Sequence, residues 1–333
     1  MMDDDDDDDD DDDNNDDDGD DDDDGDDDDN IGCGRCRGVN LAVVFILYTR
    51  GRSRQILDLR DPSSIRDSSF NPCRKTVLVI TGYFQLRGDL RVIAIAETLA
   101  THLQVHCEVI SGFQFPRQAT ALVAGFISNT RQKGSDIAHF LKVLADMTGA
   151  DPKHFTLMGV SLGTQVAAQA SRRFRVGRIT ALDPTGFIYE FLPNHFRLDK
   201  SDADFVEAVH TSLSFGSLNP YVGHVNYIIN DGISQPGCKL DQQCIHLRAA
   251  YLYVASVDKC TIHFRQCSSY LGMVLGLCNH NPTLLFGFSL EPESAPRTGQ
   301  LYYYLTDRDT YPFCRPEDIR DPSVSTYVCA RGK

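Results

Sequence analysis

The chain has 333 residues and a formal net charge of −16, yet 23 Asp sit in the first thirty residues, which hold no Lys or Arg. Without that stretch 25 acidic and 32 basic residues remain, a net charge of +7, so a mildly basic body carries an acidic tail. These totals exclude a polyacidic chain disordered throughout, and about 300 residues suffice for one large α/β domain with a substantial core.

Residues 1–37 are expected to form a disordered Asp-rich tail, because they offer no apolar surface to offset ordering entropy and their charges repel. The tail reads as a solubilising segment, a partner for basic surfaces, a weak Ca²⁺ binder, or a low-complexity extension without function. The body is expected to run over 38–333 as one domain with a disulfide-rich C-terminal part. No signal peptide is recognisable, and Leu41–Tyr48, "LAVVFILY", is too short to span a membrane and reads as a strand. Val77–Thr81 is a second strand, ended by Gly82. Leu90–Leu103 has helical spacing and Val105–Ile110 reads as a short strand. Ala119–Met147 is a long amphipathic helix with Gly149 as its stop signal. Phe155–Val160 is a strand, Leu162–Phe174 a helix and Arg178–Leu182 a strand. This alternation predicts an α/β fold, a mostly parallel central sheet with helices on both faces. No repeat of solenoid length is present. Beyond Asp183 lie loops rich in Asn, Gly, Pro and Cys, with strand-like pieces at Val225–Ile229 and Leu301–Leu305.

Eleven cysteines are present. Only Cys33 and Cys36 have the tight spacing of zinc ligands, without a second such pair, so disulfides and an oxidising compartment are the expectation, with no metal and no cofactor. The missing signal peptide conflicts with export, and an altered N-terminus is the simplest resolution. A charge of +7 spread over about 300 residues reads as a solvated surface; no nucleic-acid partner is expected.

The stretch "FTLMGVSLGTQVAAQASRRF" places a serine between two glycines where a strand becomes a helix. Gly159 and Gly163 leave room for a sharp turn, which would push the hydroxyl of Ser161 out of the fold beside a helix N-terminus. A serine alcohol needs a general base, and the base needs an orienting acid. Asp183 follows the next strand in "RITALDPTG" and is the candidate acid, although an Asp before Pro184 also suits a plain turn. His195, His210, His224, His246, His263 and His280 follow it. His246 stands two residues past Cys244, where a bridge to Cys238 would steady it. His210, in "EAVHTS", follows a strand-like piece, and spacing leaves both open.

These segments resemble the pancreatic-lipase-like family of extracellular lipases and phospholipases. The resemblance covers about Gly38 to Cys314, through "VVFILYTR", "NTR", "GVSLGTQVA", "RITALDPTG", "DADFVEAVHTS", "GHVNYIINDG", "QPGCKLDQQCIHLRAAYLY" and "GQLYYYLT". It implies an α/β-hydrolase fold, with Ser161 as nucleophile, Asp183 as acid, His246 as base and His210 as a structural neighbour. It implies an oxyanion hole made by the N–H groups of Leu162 and Tyr83, where losing one donor costs about a hundred- to a thousandfold in turnover. Thr81-Gly82 stands where the family usually has His-Gly, no Asp-Trp follows the next strand, and Val160 replaces a frequent His.

Only five residues separate Cys238 from Cys244. Triacylglycerol lipases of the family carry a long lid there, so the short one resembles the phospholipase A1 branch, as in arthropod secreted enzymes. The expectation is a secreted, extracellular serine hydrolase cleaving the sn-1 ester of phospholipid. Transient contact with a membrane or lipid interface is expected, and no colipase-type partner. The alternatives are a triacylglycerol or neutral lipase, and a catalytically weak lipid-binding relative.

Overall fold

Five runs, TVLVI, FTLMGV, RITAL, FVEAVH and VNYII, are buried along their whole length, which is the signature of strands covered on both faces. The structure is a computed structural model and describes residues 45–49, 52–82, 96–100, 119–213 and 217–321. The five runs are β3 (Thr76–Ile80), β4 (Phe155–Val160), β5 (Arg178–Leu182), β6 (Phe205–His210) and β7 (Val225–Ile229). They pair in parallel in chain order. β10 (Gln300–Tyr304) joins β7 in parallel, and β8 (His263–Cys267) and β9 (Thr283–Leu285) complete an eight-stranded sheet as antiparallel edge strands.

Alternate side chains of each strand point to opposite faces. Val77, Val79, Met158, Val160, Leu182, Val209 and Tyr227 pack with α5 (Gln242–Asp258). Leu78, Ile80, Leu157, Ile179, Ala181, Val206 and Ala208 pack with α3 (Ala119–Thr148) and α4 (Gly163–Arg173). Helices therefore cover both faces, and each buried Leu, Ile or Val stabilises the fold by about 1.5–3 kcal/mol. Shorter helical pieces lie at α1 (Pro62–Arg66), α2 (96–100) and α6 (Tyr270–Val274). Gly149 stops α3 in the left-handed conformation, with φ of 73°. Gly134 of α3 sits so close to α4 that a β-carbon there would meet Cβ of Gln169 at 2.5 Å.

The expected first strand is present over its described part but pairs outside the central sheet. β1 (Phe45–Thr49) does not belong to the central sheet; it pairs antiparallel with β2 (Arg52–Leu57) in a separate two-stranded sheet. Two residues link the pair, and so short a link permits only antiparallel neighbours. β2, "RSRQIL", is too polar to announce itself by hydrophobicity. The last strand begins and ends one residue earlier than Leu301–Leu305. The strand expected at Val105–Ile110, most of the helix expected at Leu90–Leu103 and the acidic tail lie outside the described residues.

Three disulfides, Cys238–Cys244, Cys260–Cys314 and Cys267–Cys278, tie down the C-terminal third. Cys73 is exposed and has no disulfide partner among the described residues.

Candidate active site

The carboxyl ends of β4, β5 and β6 bring Ser161, Asp183 and His210 to one edge of the sheet, where open α/β sheets collect their chemistry. Two of the three are in left-handed backbone conformation without being glycine: φ is 57° at Ser161 and 46° at Asp183. Each such residue costs on the order of 1 kcal/mol and must be held by its surroundings. The Ser161 N–H donates to the Leu182 carbonyl at 3.0 Å, and the Asp183 N–H to the Val209 carbonyl at 2.7 Å. The Thr164 N–H and hydroxyl both donate to the Ser161 carbonyl, at 3.1 and 2.7 Å.

Glycines make this turn possible. A β-carbon on Gly159 would meet Cα of Thr164 at 2.5 Å, and one on Gly163 the Ile80 carbonyl oxygen at 2.1 Å. Gly82 belongs with them, because a β-carbon there would sit 2.6 Å from Cβ of Ser161. The sequence marked Gly82 only as the end of a strand.

Asp183 is fully buried. Its Oδ1 accepts the N–H groups of Thr211 at 2.8 Å and Ser212 at 3.1 Å. Its Oδ2 accepts the Ser212 hydroxyl and pairs with Nδ1 of His246 at 2.5 Å. Burial alone would push this carboxyl up. The His246 hydrogen bond and charge, with the Ser212 and Thr211 donors, outweigh it and hold the carboxyl below its ordinary value. His246 rides on the first turn of α5, whose N-terminus Asp241 caps by accepting the N–H groups of Gln243 and Cys244. Its Nε2 has no hydrogen-bond partner among the described residues.

His210 is also fully buried beside Asp183, yet its Nδ1 pairs with the Ser217 hydroxyl at 3.1 Å. Burial lowers its pKa to about 4 against the pull of the Asp183 charge, so it is neutral near pH 7. His224 is a structural acceptor for the Val206 N–H at 3.0 Å, the His195 ring packs tilted against Phe196, and His263 and His280 are exposed. His246 alone of these six is hydrogen-bonded to Asp183 among the described residues.

In this state Oγ of Ser161 pairs with Oγ1 of Thr185 at 3.1 Å and makes no hydrogen bond to His246 among the described residues. The Leu162 N–H has no acceptor among the described residues and stays available beside Ser161. Tyr83, the other expected oxyanion donor, lies outside them. Cys238 and Cys244 are bridged, and two of the five lid residues between them, Gln242 and Gln243, already belong to α5. Thr185, Gln165 and Ser212 were not singled out from the sequence. Thr185 and Ser212 each lie two residues past a residue that was, Asp183 and His210, but side-chain hydroxyls leave no spacing signal.

The profile of the family described as Lipase matches residues 33–313. The chain belongs to the Lipase family. Its central sheet, strand-to-helix serine turn and two helical layers form an α/β-hydrolase fold. Among lipase-family relatives, the chain is similar to pancreatic triacylglycerol lipase of Myocastor coypus, at 32% identity over 74% of this chain and 54% of that one. It is similar to phospholipase A1 member A of Rattus norvegicus, at 30% identity over 84% of this chain and 64% of that one. It is equally similar to human inactive pancreatic lipase-related protein 1, at 34% identity over 69% of this chain and 51% of that one. The chain thus spans between half and two thirds of the length of these relatives. Among solved structures, esterase PE8 aligns with a TM-score of 0.34 and 16% identity over 42% of this chain and 69% of that one.

Proposed function

We propose that the chain is a secreted serine carboxyl-ester hydrolase acting on lipids, in which Ser161 attacks, His246 is the general base and Asp183 orients it. The observation that carries this is the 2.5 Å contact between His246 and a fully buried Asp183, on the sheet edge where Ser161 occupies its strained turn. Family similarity by itself does not decide activity, because one relative of comparable identity is named inactive.

The proposed reaction follows from these positions. His246 Nε2 takes the Ser161 hydroxyl proton as Oγ forms a bond to the ester carbonyl carbon. The carbonyl electron pair moves onto oxygen, which accepts a hydrogen bond from the Leu162 N–H and, as the resemblance implies, a second from the Tyr83 N–H. The intermediate collapses, the alcohol leaves with the proton from His246, and water then cleaves the acyl-enzyme by the same steps.

Phospholipid, cleaved at sn-1, is the proposed substrate. The lid supports this reading: it has five residues, Gln242 and Gln243 already belong to α5, and nothing is left to form a helix over the cleft. The neutral-lipase reading draws on the similarity to a triacylglycerol lipase. Interface contact is supported by exposed apolar side chains: Leu240 of the lid, 89% exposed, and Leu271, Leu275 and Leu277, 61–74% exposed, in a segment 268–281 without a charged residue. Export is supported by the three disulfides, which persist in oxidising compartments.

The test is a product assay on phosphatidylcholine with distinguishable sn-1 and sn-2 chains, alongside triolein. Release of the sn-1 chain, faster than release from triolein, is expected. A much faster triolein reaction, jumping sharply when substrate aggregates, overturns the phospholipase reading. No hydrolysis and no labelling by a fluorophosphonate overturn the hydrolase reading.

A further inference from the structure

We infer that Thr185 is a further catalytic residue, whose hydroxyl donates a hydrogen bond to Oγ of Ser161 as negative charge develops there. The inference rests on the serine-hydrolase reading and concerns the reacting atom itself. The two oxygens are 3.1 Å apart.

The backbone of Thr185 is held independently of its side chain. Its N–H points to the Ser161 carbonyl at 3.4 Å, and its carbonyl accepts Nε2 of Gln165 at 2.7 Å. Gln165, fully buried on α4, is itself fixed by accepting the Leu198 N–H at 2.8 Å. On the far side Thr185 forms a β-bridge with Ser217, the residue that holds His210. The loop needs nothing from the hydroxyl to keep its shape. The hydroxyl nevertheless points at the nucleophile, and the residue is only half-buried.

The chemistry of such a donor is specific. A serine oxygen has two lone pairs and one proton. When His246 removes the proton, the O–H bonding pair stays on Oγ, one pair forms the bond to the acyl carbon, and a donor on a remaining pair stabilises the charge that accumulates before bonding is complete. In the second half-reaction Oγ is the leaving atom. It departs with the bonding pair and is reprotonated by His246, and the same donor stabilises it again. Thr185 keeps its own proton throughout.

A hydrogen bond to an oxygen that becomes charged has a larger effect in the transition state than in the ground state, and about tenfold in rate is the expected scale. Thr185→Val keeps the branched shape and removes the hydroxyl; Thr185→Ser restores the hydroxyl without the methyl. The full chain is assayed by the second-order rate of fluorophosphonate labelling and by kcat and KM on p-nitrophenyl butyrate, with thermal midpoints alongside. Expected is a loss of about tenfold in labelling and kcat for Thr185→Val, with KM and midpoint unchanged, and recovery of most of the loss in Thr185→Ser. If valine lowers the midpoint, Thr185→Ala is read at a temperature where it is folded, and the same loss is required. A folded variant without the hydroxyl that is labelled at the wild-type rate, or faster, overturns the inference while leaving the hydrolase reading intact. A wild-type chain that is not labelled overturns both.

Discussion

Opposite edges of the same sheet bury a carboxylate completely, and they use it differently. At the carboxyl edge Asp183 follows β5 in a strained turn and meets a histidine. At the amino edge Glu207 lies in the regular ladder of β6 and meets Arg178 of β5, Nη2 to Oε1, at 2.6 Å. The same Oε1 accepts the Thr180 hydroxyl at 2.7 Å and the Tyr253 hydroxyl at 3.1 Å, while Arg178 also reaches the carbonyls of Leu290 and Gly287. Arg178 stays charged, because the Glu207 charge and hydrogen bond outweigh burial, and its contacts tie β5 to β6 and to the segment 287–290. An imidazole exchanges protons near neutral pH, so the same burial at the other edge prepares chemistry. A cavity of about 780 Å³ also opens at the amino edge, lined by Lys75, His154, Gly177, Asp204 and His224, each just before a strand. Its size is no guide to function. Arg175 pairs there with Asp204, and Lys75 with Glu291, both at 2.7 Å, and the candidate nucleophile is at the other end.

The division between a reactive edge and a cohesive edge breaks most visibly at Ser161. Ser161→Ala is expected to lose ester hydrolysis by more than about a thousandfold with its thermal midpoint retained, and His246→Ala to fall to a similar level because triad members act as a unit. Near-full activity in purified His246→Ala protein returns His210 to candidacy. At the other edge, Arg178→Met or Glu207→Leu alone leaves a buried charge unpaired and is expected to cost roughly 3–5 kcal/mol in urea unfolding, while the double variant recovers much of the loss. A single variant that keeps its stability and loses activity removes the distinction between the edges.

His210 sharpens the comparison through pH. Its folded pKa of about 4 lies below the ordinary 6.5, so the unfolded chain takes up a proton first as pH falls. Its contribution is therefore full above pH 6.5 and drains away down to about pH 4, by roughly 3 kcal/mol at ~1.4 kcal/mol per pH unit. His210→Gln is expected to flatten the stability profile across that window; an unchanged slope refutes the assignment. Asp183 is also held low, so its contribution is full above the ordinary carboxylate range and is lost only as pH falls through its lower folded value.

The smallest effect concerns the lid. Cys238 and Cys244 are six positions apart, and opening so short a loop with Cys238→Ser and Cys244→Ser is expected to cost about 2 kcal/mol. The ratio of phosphatidylcholine to triolein hydrolysis should move less than stability does. A large swing toward triolein shows that the bridge, and not lid length, sets substrate choice.

Much of the reactive edge was legible in the residues. Short, largely apolar runs such as TVLVI and RITAL, bounded by turn residues, read as strands covered on both faces, and the strand–Gly-x-Ser-x-Gly–helix order marked Ser161. Asp183 was visible because it ends the next strand. Spacing left the histidine open, because His210 and His246 each follow or flank a site segment, and only the family resemblance pointed to His246. Tertiary structure gives them different partners. Strand register turns His210 toward Ser217, while the packing of α5 on the opposite face carries His246 to a carboxylate 63 residues earlier in the chain. Thr185 and Gly82 needed the fold for the same reason, since their meaning is closeness to Ser161 across a turn. The apolar run around β1 was legible as a strand, but its partner was not. Local sequence specifies that a segment is extended, but pairing is settled by which partner completes its hydrogen bonds and buries its faces, and β2 does so two residues away.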